Sequence, residues 1–124
     1  MKLSSYLKLL PSIIWMCFIF FLSSLSTSSI HGTFNQRFLI LKSFHLIEYA
    51  VLAILIYLPI QKIPQSILIS YLYAITDEIH QHFVTGRTSK FSDTLIDLIG
   101  ITLGIIIIKK LFSLVKGVRS QKWE

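Results

Sequence analysis

Residues 91–110 read FSDTLIDLIGITLGIIIIKK, an apolar run of the length, about 20 residues, that a helix needs to cross a bilayer. Its charges sit at the ends, with Asp93 and Asp97 early and Lys109 and Lys110 last. Asp93, Asp97, Gly100 and Gly104 recur at intervals of three and four, which places them in one line along a helix. An ionised carboxylate in the middle of a bilayer costs about 2.5–3.5 kcal/mol on insertion scales. The Gly-x-x-x-Gly portion lets a second backbone come close. The line is therefore expected to face other helices, and the fold to be a membrane bundle.

Three further apolar runs lie upstream, so the reading is all-α: one membrane domain of four spans at about 7–25, 43–60, 64–84 and 91–108, followed by a basic tail, 109–124, lying on the membrane surface. Composition agrees. Hydrophobic residues make up 53% of the 124 and mean hydropathy is +0.69, against about 45–50% apolar in a soluble domain. Residues 26–37 are small and polar and read as a loop, while Pro59 and Pro64 bracket a tight turn. The basic start and small 23–29 cluster of the first run also fit a secretory signal. Trp123 reads as an interfacial anchor.

The net charge of +6 comes mostly from terminal and loop Lys and Arg, which suits anionic lipid headgroups. No basic and aromatic stripe points to nucleic acid. Cys17 is alone, which excludes an intramolecular disulfide and a Cys metal cluster. With both termini cytoplasmic, the inner side holds Lys2, Lys8, Lys62, Lys109, Lys110, Lys116, Arg119 and Lys122, and the outer side only Arg37, Lys42, Arg87 and Lys90. The positive-inside rule favours that orientation.

Five of the six acidic residues, Glu48, Asp77, Glu78, Asp93 and Asp97, fall inside or at the edge of these runs. At 1.5 Å per residue, Glu48 lies about 7–8 Å beyond Ser43, Glu78 about 9 Å before Val84 and Asp97 about 9 Å beyond Phe91. Three carboxylates thus share one level near the outer face. His45, His82 and Asp93 form a shallower ring, with Arg87 and Lys90 arching from the loop. Helical spacing puts His45 with Glu48 on one face, and Glu78 with Gln81 and His82 on another. Arg87 is the expected counter-ion, because its planar fork bridges two carboxylates or holds a phosphate.

The residues then resemble a known family. Trp15 with Phe21-Leu22-Ser23-Ser24, Lys42, His45, Glu48 and Tyr49, the dense Asp77-Glu78-Ile79-His80-Gln81, Phe83, Gly86-Arg87, Asp93, Asp97, Gly100 and Gly104 are similar to the pattern of VanZ-like membrane proteins. The founding member of that group is linked to teicoplanin-type glycopeptide resistance. Thr85 stands where proline is common, and Asp97 where asparagine is frequent, which adds a charge. The resemblance implies an envelope or drug-resistance role in the cell membrane and brings no established reaction.

Three readings of the polar residues stay open. In the first, Lys42, His45, Asp77, Gln81, Arg87, Asp93 and Asp97 bind an envelope lipid, an envelope precursor or an amphiphilic antibiotic without covalent change, since ionisable groups inside membranes mark ligand and ion paths. In the second, Glu48, Glu78 and His82 exchange protons in an intramembrane hydrolase or transferase. Ser23, Ser24 or water would then be the nucleophile, with no spacing that singles one out. In the third, the charges only hold the bundle together, at an average of about 0.6 kcal/mol per interhelical polar contact. His45, Glu48, Glu78 and His82 invite comparison with a metal site, but no His-Glu-x-x-His helix is present and no cofactor is implied. Asp77-Glu78-Ile79-His80 mimics a helicase box without the phosphate loop such a box requires. His80 reads as a packing residue turned from the Glu78 face, and Trp15, Tyr71 and Tyr73 as packing or lipid contacts.

Overall fold

A computed structural model describes residues 2–28, 30–87 and 90–121, which contain five helices and no strand. Helices α1 (Leu3–Leu7) and α2 (Leu10–Ser23) are nearly continuous. The break at Lys8 and Leu9 follows from Pro11, which has no N–H to give and whose ring presses on the carbonyl four residues back. Helix α3 (Phe34–Ile60) begins well before residue 43, so the expected loop is shorter. Thr33 caps it: the Thr33 hydroxyl accepts from the Gln36 N–H at 3.3 Å while the Gln36 side chain accepts from the Thr33 N–H at 3.0 Å. It ends just past Pro59, where Gln61 turns left-handed at φ 58° and closes the turn into α4 (Ile63–His82). Helix α5 (Asp93–Gln121) runs unbroken through Lys109 and Lys110. The residues read as a separate surface tail are its continuation up to Gln121, and Trp123 lies outside the described residues.

Among the described residues, three helical stretches are long and apolar enough to cross a membrane: Leu3–Ser23, Phe34–Ile60 and Asp93–Arg119. Helix α4 is not among them, because its last two turns carry Asp77, Glu78, His80, Gln81 and His82. Apolar side chains cover the outside of the bundle as well as its centre. On α5, Ile99, Leu103, Ile106 and Ile107 are exposed, whereas Ile101, Ile105 and Ile108 are buried. A helix apolar all round is at home in hydrocarbon.

The largest interface joins α3 to α5. Tyr49, Leu52, Ala53, Ile56 and Tyr57 on α3 meet the buried stripe of α5. Gly100 and Gly104 set the distance. A Cβ at Gly100 would come within 2.5 Å of the Leu46 carbonyl oxygen, and one at Gly104 would overlap the Ala50 carbonyl. Helix α4 buries Ser66, Ser70, Ala74, Asp77, Glu78 and Gln81, again on one face. Ser66 and Ser70 satisfy their hydroxyls on their own helix, donating to the Lys62 carbonyl at 2.8 Å and the Ser66 carbonyl at 2.7 Å. Small side chains thus line α4 until its final turns, where the polar residues begin.

Candidate functional site

The C-terminal ends of α2 and α4 and the N-terminal portions of α3 and α5 share one end of the bundle, and the buried charges gather there. Asp77 lies at the centre of one group. It is 3% exposed and accepts from the Tyr49 hydroxyl at 2.9 Å, from the Gln81 amide at 3.1 Å and from the Ser23 hydroxyl. Gln81 also donates to Ser23 Oγ at 3.1 Å. One carboxylate thereby ties α2, α3 and α4 together. Asp77 and Gln81 meet because they are four apart on α4. Tyr49 reaches them from the α3 face that also carries His45, whose ring lies parallel to the Tyr49 ring at 6.5 Å.

A second group runs through His45. Its Nδ1 lies 3.2 Å from Asp97 Oδ1, and its Nε2 lies 3.5 Å from Arg87 Nη2. The Nδ1–H tautomer serves both contacts, donating to the carboxylate and accepting from the guanidinium. Arg87 also donates from Nη1 to the carbonyls of Leu22, at 3.0 Å, and Leu25, at 3.3 Å. These carbonyls close the C-terminal end of α2, where the partial negative charge of the helix favours a cation. Arg37 adds a second guanidinium nearby, donating to the Thr27 carbonyl at 2.9 Å. The Gly86 carbonyl accepts from Ser26 and Thr27, which seats the 83–87 loop on the chain leaving α2.

Lys42 and Asp93 form a third, partly buried group as a direct ion pair. Asp93 opens α5, where a negative charge suits the helix N-terminus. Glu48 is half-buried between the groups, within Coulombic range of His45, Asp77, Arg87 and Asp97. Its backbone carbonyl accepts from Trp15 Nε1 at 2.9 Å. Glu78 is 4% exposed on the inner face of α4.

The sequence-expected residues therefore divide. Glu48, Asp77, Glu78, Gln81, His45, Asp97 and Arg87 lie at one end, as do Lys42 and Asp93. His82 does not join them. It is exposed and packs edge-on to Phe83, because the inward face of α4 at this level is taken by Asp77, Glu78 and Gln81. The four-residue set compared with a metal site is thus not assembled. Arg87 makes its direct hydrogen bonds to carbonyls and to His45 rather than bridging carboxylates, and Lys42 is held by Asp93. His80, read as a packing residue, lies 3.0 Å from Ser24 Oγ through its Nε2.

Several participants were not picked out as site residues. Ser23 enters the sequence reading only as one possible nucleophile, and Tyr49 has no role there, although it is legible one turn beyond His45. Trp15, expected as a packing or lipid contact, packs against the core and also donates to the Glu48 carbonyl. Tyr73 ties α4 to α2, its hydroxyl donating to the Met16 carbonyl at 2.5 Å. Nothing in a sequence marks a backbone carbonyl as the partner of a distant side chain.

A family model described as VanZ/LLP1 matches residues 8–114. No curated protein and no solved structure matches the chain. The match spans α2, α3, α4, the Gly-Arg loop and most of α5, so it includes every residue of the three polar groups. The chain belongs to the VanZ/LLP1 family.

Proposed function

We propose that this VanZ-like protein sits in the cell membrane as a four-span, multi-pass bundle with both termini cytoplasmic, and that its outward-facing polar end binds an envelope lipid, an envelope precursor or a glycopeptide-type antibiotic. In that role it contributes to envelope maintenance or to antibiotic resistance. The observation that carries the reading is the assembly of Glu48, Asp77, Glu78 and Asp97 with His45 and Arg87 at one end of the bundle, on three helices and a loop. So many ionisable groups in lipid-embedded helices exceed what interhelical contacts of about 0.6 kcal/mol each return as stability. Helix α4 serves as the fourth span, its polar final turns shielded by α2, α3 and α5.

Glu48→Gln, Glu78→Gln and Arg87→Ala are each expected to abolish an envelope or resistance phenotype, measured as survival under a glycopeptide, while the protein still accumulates in the membrane. Loss of accumulation in all three would favour a purely structural network. The orientation has its own test. In a Cys17→Ala background, Thr85→Cys is expected to react with an impermeant thiol reagent added outside whole cells, and Gln61→Cys to react only after the membrane is opened. The opposite pattern would invert the bundle.

A further inference from the structure

Ser24 and His80 lie outside the three polar groups, on a different face of the same end. Ser24 caps the C-terminal end of α2, and His80 is in the last turn of α4. The Ser24 Oγ is 3.0 Å from His80 Nε2 and 2.9 Å from the Phe20 carbonyl, so its hydroxyl has a ring nitrogen and a carbonyl in reach. The His80 ring is stacked on Phe20, with centroids 4.1 Å apart and planes inclined by 23°. That stack fixes the imidazole plane, and the α2–α4 packing fixes its distance from the hydroxyl. A hydroxyl within hydrogen-bond reach of an imidazole held by a third group is the arrangement that activates serine as a nucleophile.

The surroundings indicate the substrate. Ser24 is exposed, and the apolar side chains next to the pair along the chain, Phe20, Phe21 and Leu25 beside Ser24 and Ile79 and Phe83 beside His80, are exposed as well. Both residues of the pair lie at helix ends, where hydrocarbon gives way to headgroups in a bilayer-spanning bundle. The acyl ester carbonyls of a membrane lipid lie at that level, with their chains among such apolar residues. Deeper in the bundle, Ser23 is buried and engaged with Asp77 and Gln81, so of the two adjacent serines only Ser24 is open to a ligand.

We infer that Ser24 and His80 form a nucleophile–base pair acting on the carboxylic ester of a membrane lipid. Ser24 Oγ bonds to the ester carbonyl carbon as its proton passes to His80 Nε2. Collapse of the tetrahedral adduct breaks the bond to the lipid alcohol, which leaves with that proton, and the acyl group stays on Ser24. Water then gives a proton to the same nitrogen and attacks the acyl carbonyl, releasing the carboxylic acid and restoring the hydroxyl. This goes beyond the binding role proposed above and uses none of its residues, so either can fail alone.

The test uses full-length protein in lipid nanodiscs, treated with a decyl fluorophosphonate and mapped by peptide mass spectrometry. An adduct on Ser24 is expected in native protein and not in heat-unfolded protein. Ser24→Ala removes it, and His80→Gln slows its formation by about 100-fold or more, the usual contribution of a general base. A methyl fluorophosphonate is expected to react at least about tenfold more slowly than the decyl reagent, because it gains nothing from the apolar surroundings. No adduct on Ser24 in native protein, or unchanged labelling in His80→Gln, would overturn the pair. Equal rates for the two reagents would overturn the lipid ester as its substrate. Mapping of the native protein decides the first point even if a variant misfolds.

Discussion

Gly104→Val is expected to prevent stable assembly of the bundle. A side chain at this position begins with a Cβ that overlaps the Ala50 carbonyl, and the Ala50 Cα and carbonyl carbon each lie 3.0 Å from it. Those atoms are backbone, so no rotamer change clears them, and α3 must move away from α5 along their whole seam. Overpacking of this kind costs about 1–3 kcal/mol where side chains can adjust. Here the upper end or more applies. Without a hydrophobic drive between helices in lipid, close packing is itself the main attraction that is lost. The measurement is the fraction of folded protein in detergent as SDS or heat is raised. Leu103→Val, one residue earlier on the exposed side of α5, is the control and is expected to stay within about 0.5 kcal/mol of the parent. If Gly104→Val matched that control, the close approach of α3 and α5 would not hold the fold together.

The same seam marks how far the sequence could be read. Asp93, Asp97, Gly100 and Gly104 declare a common face through their spacing, and all four are buried. Periodicity within one helix is visible in a sequence because 3.6 residues make a turn. Pairings between helices leave no such trace. Lys42 and Asp93 are both conspicuous charges, yet they lie 51 positions apart and nothing local joins them. Arg87 was legible as a cation in search of a partner, but its acceptors at Leu22 and Leu25 are main-chain carbonyls exposed by the end of α2. His82 shared helical spacing with Glu78 and still falls outside, because α4 turns a narrow face inward and Gln81 fills the place beside Asp77. The early start of α3 was readable. Thr33 and Gln36 form a capping box three residues apart, a local signal outweighed by the polar character of residues 26–37. The unbroken course of α5 past Lys109 and Lys110 is different. Those lysines signal a membrane boundary, whereas a helix continues wherever its backbone bonds and propensities allow.

Asp77→Ala is expected to loosen three helices at once, and the effect separates from its neighbours by a double-mutant cycle. The carboxylate receives hydrogen bonds from Ser23 on α2, Tyr49 on α3 and Gln81 on α4. Removing it leaves the buried Tyr49 hydroxyl without the acceptor it has, and costs Gln81 and Ser23 one partner each while their mutual contact at 3.1 Å remains. An unsatisfied buried polar group costs about 1–3 kcal/mol. With the Tyr49 and Ser23 hydroxyls both losing their acceptor and the Gln81 amide keeping one, the total is expected at about 3 kcal/mol, well above the average of about 0.6 kcal/mol for a single interhelical contact in a membrane. Tyr49→Phe removes one donor and leaves Asp77 two others, so in the parent it should cost about 1 kcal/mol. In the Asp77→Ala background the same change is expected to be neutral or mildly stabilising, because the orphaned hydroxyl disappears. Reversible unfolding of all four proteins in mixed detergent measures the coupling directly. An equal cost for Tyr49→Phe in both backgrounds would mean that the hydroxyl and the carboxylate act independently, and that Asp77 is held in place by something other than this clasp.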